Sequence, residues 1–161
     1  MMLPRVLFIC THNRCRSILA EAICRHHASH LFEVASAGSQ AVAEVHPLTL
    51  KYLKERGIST DALYSKSWDK FRDFGASAIV TMCDQAANEA CPVWLNTDNM
   101  AHWGLADPSS VSDSTEQVAA AFHRTIDTIE RRIIGLVEAK SSHLEVDQLP
   151  MLFNRLADDI V

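Results

Sequence analysis

The pattern of apolar and polar residues along the chain predicts where strands and helices lie. Short continuous apolar runs predict buried strands over residues 5–10, 33–37 and 76–82, with a short fourth strand near Val93 and Trp94. Apolar residues spaced three and four apart predict helices from 17 to about 29, over 47–53, from 115 to about 139, and over 144–160. Because strands alternate with helices, we expect an α/β fold, with three α/β/α layers around a central, roughly four-stranded parallel sheet.

The composition is that of an ordinary globular protein. Of the 161 residues, 48% are apolar and 22% are charged, and the formal net charge is -5. A net negative charge does not favour nucleic acid or an anionic membrane as a partner. No apolar run reaches the length of a membrane span, and Arg5 interrupts the apolar start, which we interpret as a first strand and not as a signal peptide. We expect one domain over residues 1–161, monomeric and cytoplasmic.

The five cysteines narrow the kinds of chemistry to consider. They are Cys10, Cys15, Cys24, Cys83 and Cys91. An odd number in a reducing compartment argues against a disulfide scaffold, which leaves catalytic, redox, metal-binding and purely buried thiols as alternatives. Cys83 and Cys91 have no Cys-x2-Cys or Cys-x2-His companion, so a zinc site is disfavoured, and Cys24 lies among apolar neighbours of the first helix, where we expect simple burial.

The turn between the first strand and the first helix concentrates residues suited to binding an oxyanion. It consists of Cys10, Thr11, His12, Asn13, Arg14, Cys15, Arg16 and Ser17. Backbone N–H groups at a helix N-terminus, together with the Arg16 guanidinium, suit a tetrahedral oxyanion and favour Cys10 as a thiolate nucleophile. Ser17 can donate a hydrogen bond to that thiolate, and Asn13 tolerates the left-handed backbone of a tight loop. A buried Cys10 beside surface arginines is the alternative that the Cys-x5-Arg spacing alone leaves open.

These residues also resemble a known family. Residues 10–17 resemble the Cys-x4-Cys-Arg-Ser signature of the low-molecular-weight tyrosine phosphatase fold, and residues 36–39, Ser-Ala-Gly-Ser, resemble its second-strand motif. The resemblance implies that Asp107, followed by Pro108, is the general acid. Tyrosine phosphatases of this fold place an aromatic residue after Asp-Pro, but here Ser109 and Ser110 follow.

Two distant cysteines distinguish this chain within that resemblance. Cys83 follows the third predicted strand and Cys91 lies eight positions further on. Together with His102, Trp103 and Gly104 ahead of the Asp-Pro pair, they resemble the thioredoxin-coupled arsenate reductases built on the phosphatase fold. Typical members have one residue fewer between the last two cysteines.

The resemblance implies a reaction that reduces arsenate to arsenite and so serves arsenic detoxification. The Cys10 thiolate attacks arsenate while Asp107 protonates the leaving oxygen. Cys83 then attacks Cys10, and Cys91 attacks Cys83, so that the oxidation ends on an exposed Cys83–Cys91 disulfide. Thioredoxin is the implied external reductant, with glutathione and glutaredoxin as the alternative, and no tightly bound cofactor or metal is implied.

Three residues receive secondary interpretations. Cys15 has no assigned step in turnover and can pair with Cys10 under oxidation, and Arg14 either widens the attraction for anions or faces solvent. Some relatives hold a monovalent cation beneath the loop with residues that match Asn13, Glu21 and Ser36 and with one further acidic residue. The corresponding run here ends in Lys66, so we propose that its ammonium replaces the cation and pairs with Glu21.

Two other functions remain open at the level of the sequence. One is a low-molecular-weight protein tyrosine phosphatase that hydrolyses phosphomonoesters with Cys10, Arg16 and Asp107. The other is a non-enzymatic arsenite sensor that traps its ligand between three thiols, although such a trap has no use for Arg16 or Asp107.

Overall fold

A four-stranded, entirely parallel sheet forms the centre of the protein. The structure is a computed structural model that describes residues 2–84, 86, 92–140 and 145–161. The strand order is β2-β1-β3-β4, and the strands are β1 (Arg5–Cys10), β2 (Glu33–Gly38), β3 (Ala78–Thr81) and β4 (Met100–His102). The predicted α/β class and the parallel sheet are confirmed.

The position of the fourth strand was wrongly predicted. Val93 and Trp94 lie in a turn that the Leu95 N–H closes by donating to the Pro92 carbonyl, and Val93 is fully exposed. The strand that pairs with β3 begins only at Met100, after a short 3-10 turn capped by the side chain of Asn96. A strand of three residues is too short to produce an alternating or continuous apolar pattern.

Four described α-helices connect and flank the strands. They are α1 (Arg16–Ala28), α2 (Pro47–Glu55), α3 (Thr115–Lys140) and α4 (Leu149–Asp159). Gly57 follows α2 with a φ of 71°, as expected of a helix-ending glycine. The last helix begins later than the predicted residue 144, which lies outside the described residues. A 3-10 turn over Val146–Gln148 precedes it, and Pro150 lies in the first turn of α4, where its missing N–H costs nothing.

The sheet is covered on both faces, as the continuous apolar runs of the strands predicted. Val6, Leu7, Phe8 and Ile9 are each at most 1% exposed although their side chains alternate between the two faces. Helix α3 packs against both α1 and α4, and Phe8 meets Phe153 of α4 edge to face. In the described part of the chain, no helix has the length and hydropathy that crossing a membrane requires.

The topology determines where a ligand site can form. All four strands are parallel, so their carboxyl ends meet at one edge of the sheet. The chain leaves β1 towards β2 on one side and returns to β3 on the other, so the loops that follow β1 and β3 diverge there. A crevice between diverging loops at the carboxyl edge is the usual binding place in open α/β sheets.

Candidate active site

The loop after β1 is held in shape by the side chain of Asn13, which is fully buried. Asn13 has a φ of 49°, the left-handed conformation expected from the sequence. Its Nδ2 donates to Ser17 Oγ at 2.8 Å and to Ser36 Oγ at 3.0 Å, and its Oδ1 accepts from the Lys66 backbone N–H at 2.8 Å. All three hydrogen bonds of the amide are therefore made inside the protein, which fixes the curvature of the loop.

The predicted nucleophile lies next to the predicted hydroxyl donor. Cys10 is 3% exposed, and its Sγ is 2.8 Å from Ser17 Oγ. Because the Ser17 oxygen already accepts a hydrogen bond from Asn13, its own proton is available for the Cys10 sulfur. The contact therefore places a hydroxyl donor against the Cys10 sulfur.

Gly38, at the end of β2, makes room for this loop. A Cβ atom there would lie 2.6 Å from the Thr11 carbonyl oxygen, which is closer than such atoms approach in proteins. The glycine of the Ser-Ala-Gly-Ser motif is therefore required sterically, because a side chain at this position would prevent the loop from lying on the end of β2.

Arg16 and Asp107 face each other across the mouth of the loop. Arg16 Nη1 donates to the Leu105 carbonyl at 2.9 Å, and its Nη2 lies 3.8 Å from Asp107 Oδ2. The other oxygen of Asp107, Oδ1, accepts from both the N–H and the hydroxyl of Ser109, at 2.9 and 2.6 Å. Ser109 therefore orients the carboxyl group so that Oδ2 is the oxygen turned towards Arg16.

Cys83 lies in the wall of a pocket that Arg16 and Asp107 also line. A pocket of about 510 Å³ is lined by Cys83, Thr11, Arg16 and Asp107, among others. Cys83 is 4% exposed, and its Sγ lies 3.7 Å from Thr11 Oγ1 and accepts from the Ala86 N–H at 3.4 Å. A second pocket of about 580 Å³ lies between Phe71 and Trp94, and the described residues that line it include no cysteine.

A buried ion pair lies beneath the loop, as predicted for Lys66. The Lys66 Nζ is 3.4 Å from Glu21 Oε1 and donates to the Tyr64 carbonyl at 2.6 Å and to Ser36 Oγ at 3.5 Å. Burial lowers the pKa of Lys66, although the neighbouring Glu21 carboxylate opposes this shift. The ammonium thus lies among the oxygens of Glu21 and Ser36, and Ser36 leads through Asn13 and Ser17 to Cys10.

The remaining predicted residues lie around this centre. His12 is exposed and lines the pocket, while Arg14 is half-buried and its carbonyl accepts from the His46 N–H. Cys15 and Cys24 are buried, and burial raises the pKa of each thiol to about 12. Cys91 lies outside the described residues, so its predicted part in the relay stays a prediction.

Three contributors to the site were not recognised in the sequence. They are the Thr11 hydroxyl against Cys83, the Ser109 hydroxyl on Asp107, and the Leu105 carbonyl that receives Arg16. Position 109 carried a usable signal, because an aspartate side chain commonly accepts the backbone N–H two residues further on. The Thr11 and Leu105 contacts join segments more than 70 positions apart and leave no local signal.

The chain is similar to proteins of one known family. The sequence model of the low molecular weight phosphotyrosine protein phosphatases matches residues 5–147. An arsenate reductase of Halalkalibacterium halodurans is 34% identical over 133 residues, which cover 83% of this chain and 94% of that protein.

Solved structures of proteins with two different activities resemble this chain in fold. A thioredoxin-dependent arsenate reductase of Corynebacterium glutamicum superposes with a TM-score of 0.67 at 30% identity, over 88% of this chain and 64% of that longer one. An arginine phosphatase of Geobacillus stearothermophilus superposes with a TM-score of 0.70 at 26% identity, over 88% of this chain and 98% of the phosphatase. The fold therefore carries both reduction and hydrolysis, and the residues of the site must distinguish them.

Proposed function

Because this chain belongs to the low molecular weight phosphotyrosine protein phosphatase family, we propose that it uses the family's thiolate loop to reduce arsenate to arsenite and so serves arsenic detoxification. One observation carries the choice of reduction over hydrolysis. A second thiol, Cys83, is buried beside Thr11 in the wall of the pocket that Arg16 and Asp107 also line. A phosphatase needs one thiol, whereas a thiol-dependent reductase needs a second one within reach of the first.

The first step uses the residues that a phosphatase would use. Arsenate is a tetrahedral oxyanion like phosphate, so the loop amides and the Arg16 guanidinium bind it with its arsenic facing Cys10. The Cys10 thiolate forms a sulfur–arsenic bond, and one arsenic–oxygen bond breaks. Asp107, oriented by Ser109, supplies the proton with which that oxygen leaves as water.

The second step is where reduction replaces hydrolysis. The Cys83 thiolate attacks Cys10 Sγ and forms a Cys10–Cys83 disulfide, and the sulfur–arsenic bond breaks. Its electron pair goes to arsenic, which leaves as arsenite, so the two cysteines are oxidised by two electrons and arsenic is reduced by two. Cys83 starts this step from a position next to Thr11, the residue that follows Cys10.

The third step regenerates the nucleophile. Cys91 attacks Cys83 Sγ, the Cys10–Cys83 bond breaks, and Cys10 returns to the thiolate while the disulfide moves to Cys83 and Cys91. A dithiol protein then reduces that disulfide by exchange. The thioredoxin dependence of the similar Corynebacterium glutamicum enzyme supports thioredoxin as this reductant, with glutaredoxin and glutathione as the alternative.

Hydrolysis of phosphomonoesters is the second candidate function, because an arginine phosphatase shares the fold. The residues after Asp107 count against a tyrosine phosphatase. Ser109 occupies the neighbourhood where an aromatic ring would flank a phosphotyrosine, and it is hydrogen-bonded to Asp107. A Cys10–phosphate adduct cannot accept electrons from Cys83, so residual hydrolysis and arsenate reduction can coexist at one site.

Arsenate-dependent oxidation of NADPH tests the proposal. The purified protein is supplied with thioredoxin and thioredoxin reductase, and in parallel with glutaredoxin, glutathione and glutathione reductase. We expect one of the two mixtures to sustain many turnovers. The absence of turnover in both, with hydrolysis of p-nitrophenyl phosphate retained, would assign the protein to the phosphatases.

Cysteine variants connect the activity to the proposed relay. Cys83→Ser is expected to lower arsenate reduction over many turnovers to background while p-nitrophenyl phosphate hydrolysis persists, because only arsenate reduction needs the second thiol. Cys24→Ala removes an equally buried thiol outside the pocket and is the matched control. Sustained arsenate reduction by Cys83→Ser would show that the relay is wrong.

A further inference from the structure

His102, the last residue of β4, joins three parts of the site that are separate in the sequence. Its Nδ1 lies 2.7 Å from Thr81 Oγ1 at the end of β3, and its Nε2 lies 2.8 Å from Asp84 Oδ1. The ring also lies over Gly104, where a Cβ atom would come within 2.6 Å of Nε2. His102 thus contacts the residue after Cys83 and the start of the loop that carries Asp107.

The direction of these hydrogen bonds follows from the partners. An ionised carboxylate only accepts hydrogen bonds, so Nε2 carries a proton and donates to Asp84. Thr81 Oγ1 also donates to the Ala101 carbonyl at 3.2 Å, and whichever partner takes its proton, Nε2 remains the donor to Asp84. The contact with Thr81 therefore orients the ring with its Nε2–H towards Asp84.

The segment that His102 holds is the one that carries the second thiol. Cys83 is followed directly by Asp84, and its sulfur is contacted by Thr11 Oγ1 and by the Ala86 N–H. Those two contacts define where the sulfur lies but are weak, as hydrogen bonds to sulfur are. A restraint on Asp84 therefore adds directly to the restraint on the Cys83 side chain.

We propose that His102 is a positioning residue for Cys83. By binding Asp84, it holds the first residues after Cys83 against the start of the Asp107 loop, so that the Cys83 sulfur stays beside the loop in which Cys10 receives arsenic. The effect of His102 on arsenate reduction rests on the proposed function. Its effect on the position of Cys83 does not depend on which reaction the site performs.

The exposure of the pair suits a restraint that must also be released. The side chains of His102 and Asp84 are 40% and 87% exposed, and a polar contact so exposed to water is weak. A weak restraint shifts the population of the arsenic-facing position of Cys83 several-fold without locking it there. Release is needed because Cys91, eight positions along the chain, must later reach the same sulfur.

Three measurements on His102→Ala test the proposal. Alkylation by iodoacetamide, followed peptide by peptide with mass spectrometry, is expected to become about two- to fivefold faster at Cys83 and to stay unchanged at Cys10. Release of arsenite in a single turnover without reductant is expected to slow by the same factor. Hydrolysis of p-nitrophenyl phosphate, which does not use Cys83, is expected to change less than twofold.

Matched variants distinguish positioning from loss of fold. His102→Gln places an amide N–H near the position of Nε2 and is expected to restore the alkylation rate of Cys83. His27→Ala removes a histidine that contacts Glu130 at 2.9 Å and does not line the pocket, and is expected to leave both cysteines unchanged. Asp84→Ala should reproduce His102→Ala, and the double variant should add nothing further.

The outcomes that would overturn the proposal are distinct from those that would overturn the function. An unchanged Cys83 alkylation rate in His102→Ala, or equal acceleration at Cys10 and Cys83, would refute the positioning of Cys83. An equal fall in arsenite release and p-nitrophenyl phosphate hydrolysis would assign His102 to the Asp107 loop instead. If the wild-type protein does not reduce arsenate, the proposed function fails, and the alkylation rates still decide the role of His102.

Discussion

At the scale of single residues, a buried polar network supports the nucleophile. Lys66, Glu21, Ser36, Asn13 and Ser17 form a continuous chain of contacts that ends at Cys10. Glu21 also contacts Arg25 at 3.2 Å, so its carboxylate has two cationic partners. Burying such groups is costly unless each is paired, which makes the network sensitive to the loss of any member.

Lys66→Ala tests whether the ammonium takes the place of a cation. We expect the variant to lose about 3 kcal/mol of unfolding free energy, because the buried Glu21 keeps only Arg25 as a cationic partner. We also expect potassium chloride to recover part of this loss in Lys66→Ala and not in the wild type. Urea unfolding in potassium chloride and in choline chloride at equal ionic strength measures both effects.

Lys70→Ala is the control for that experiment, because it removes a lysine that is exposed and contacts the Tyr64 hydroxyl at the surface. A wild-type protein whose stability or activity depends strongly on potassium would contradict the replacement.

The reactivity of the cysteines is a second prediction at this scale. Burial raises the pKa of Cys15 and of Cys24 to about 12, so both are protonated thiols at neutral pH. Iodoacetamide at pH 7.5 should therefore modify Cys10 long before either of them in the native protein, and all at similar rates in urea. Early modification of Cys15 would mean that the helix start is open in solution.

At the scale of elements, the start of α2 supports the loop after β1. His46 caps this helix by accepting the Leu48 N–H on Nδ1 at 3.1 Å, and its own N–H donates to the Arg14 carbonyl. The Thr49 hydroxyl donates to the same carbonyl at 3.2 Å. Burial, and secondly the charge of Arg14, lower the pKa of His46 below its ordinary value of 6.5.

This cap predicts a loss of stability in mild acid. Because the pKa of His46 is lower in the folded protein, the unfolded chain binds the proton first as the pH falls below 6.5. The stabilisation is complete above that pH and is lost as the pH falls towards the folded pKa, where Nδ1 can no longer accept.

His46→Asn keeps a capping oxygen without a group that titrates between pH 7 and 5. The free energy of unfolding of the wild type should fall relative to that of the variant as the pH goes from 7 to 5. Urea titrations at several pH values measure the difference, and parallel curves for the two proteins would exclude His46 as the titrating group.

At the scale of the whole molecule, the last helix belongs to the same core as the sheet and the site. Phe153 of α4 is fully buried against Phe8 and Trp103, and the Trp103 indole N–H donates to the Phe153 carbonyl at 2.8 Å. Arg132 of α3, 3% exposed, donates to the carbonyls of Trp103 and Ile160. The base of the Asp107 loop therefore depends on both C-terminal helices.

Truncation of Phe153 tests this dependence. Phe153→Ala should lower the free energy of unfolding by about 3–5 kcal/mol, because it opens a cavity between the sheet and α4. Met151→Ala, on the same helix but 74% exposed, should change it by less than about 0.5 kcal/mol. Thermal unfolding followed by circular dichroism measures both. Two separate transitions in the wild type would contradict the expected single domain over residues 1–161.

The elements that could be predicted from the sequence are those whose burial leaves a long pattern. The continuous apolar run at Arg5–Cys10 and the three-and-four spacing over Thr115–Lys140 each reflect contact with the core on a fixed set of faces. The fourth strand, Met100–His102, has only three residues and left no such pattern. The late start of α4 depends on a local 3-10 turn, which periodicity does not report.

For the site, the sequence by itself determined the chemical groups of the loop. Cys10, Asn13, Arg16 and Ser17 lie within eight residues between a strand and a helix, so the local backbone is enough to bring them together. Only the tertiary structure decided that Cys83 faces Thr11, that Asp107 turns one oxygen to Arg16, and that His102 binds Asp84. The carboxyl ends of parallel strands meet only when the sheet forms, and contacts made there join segments whose separation along the chain carries no record of their distance in space.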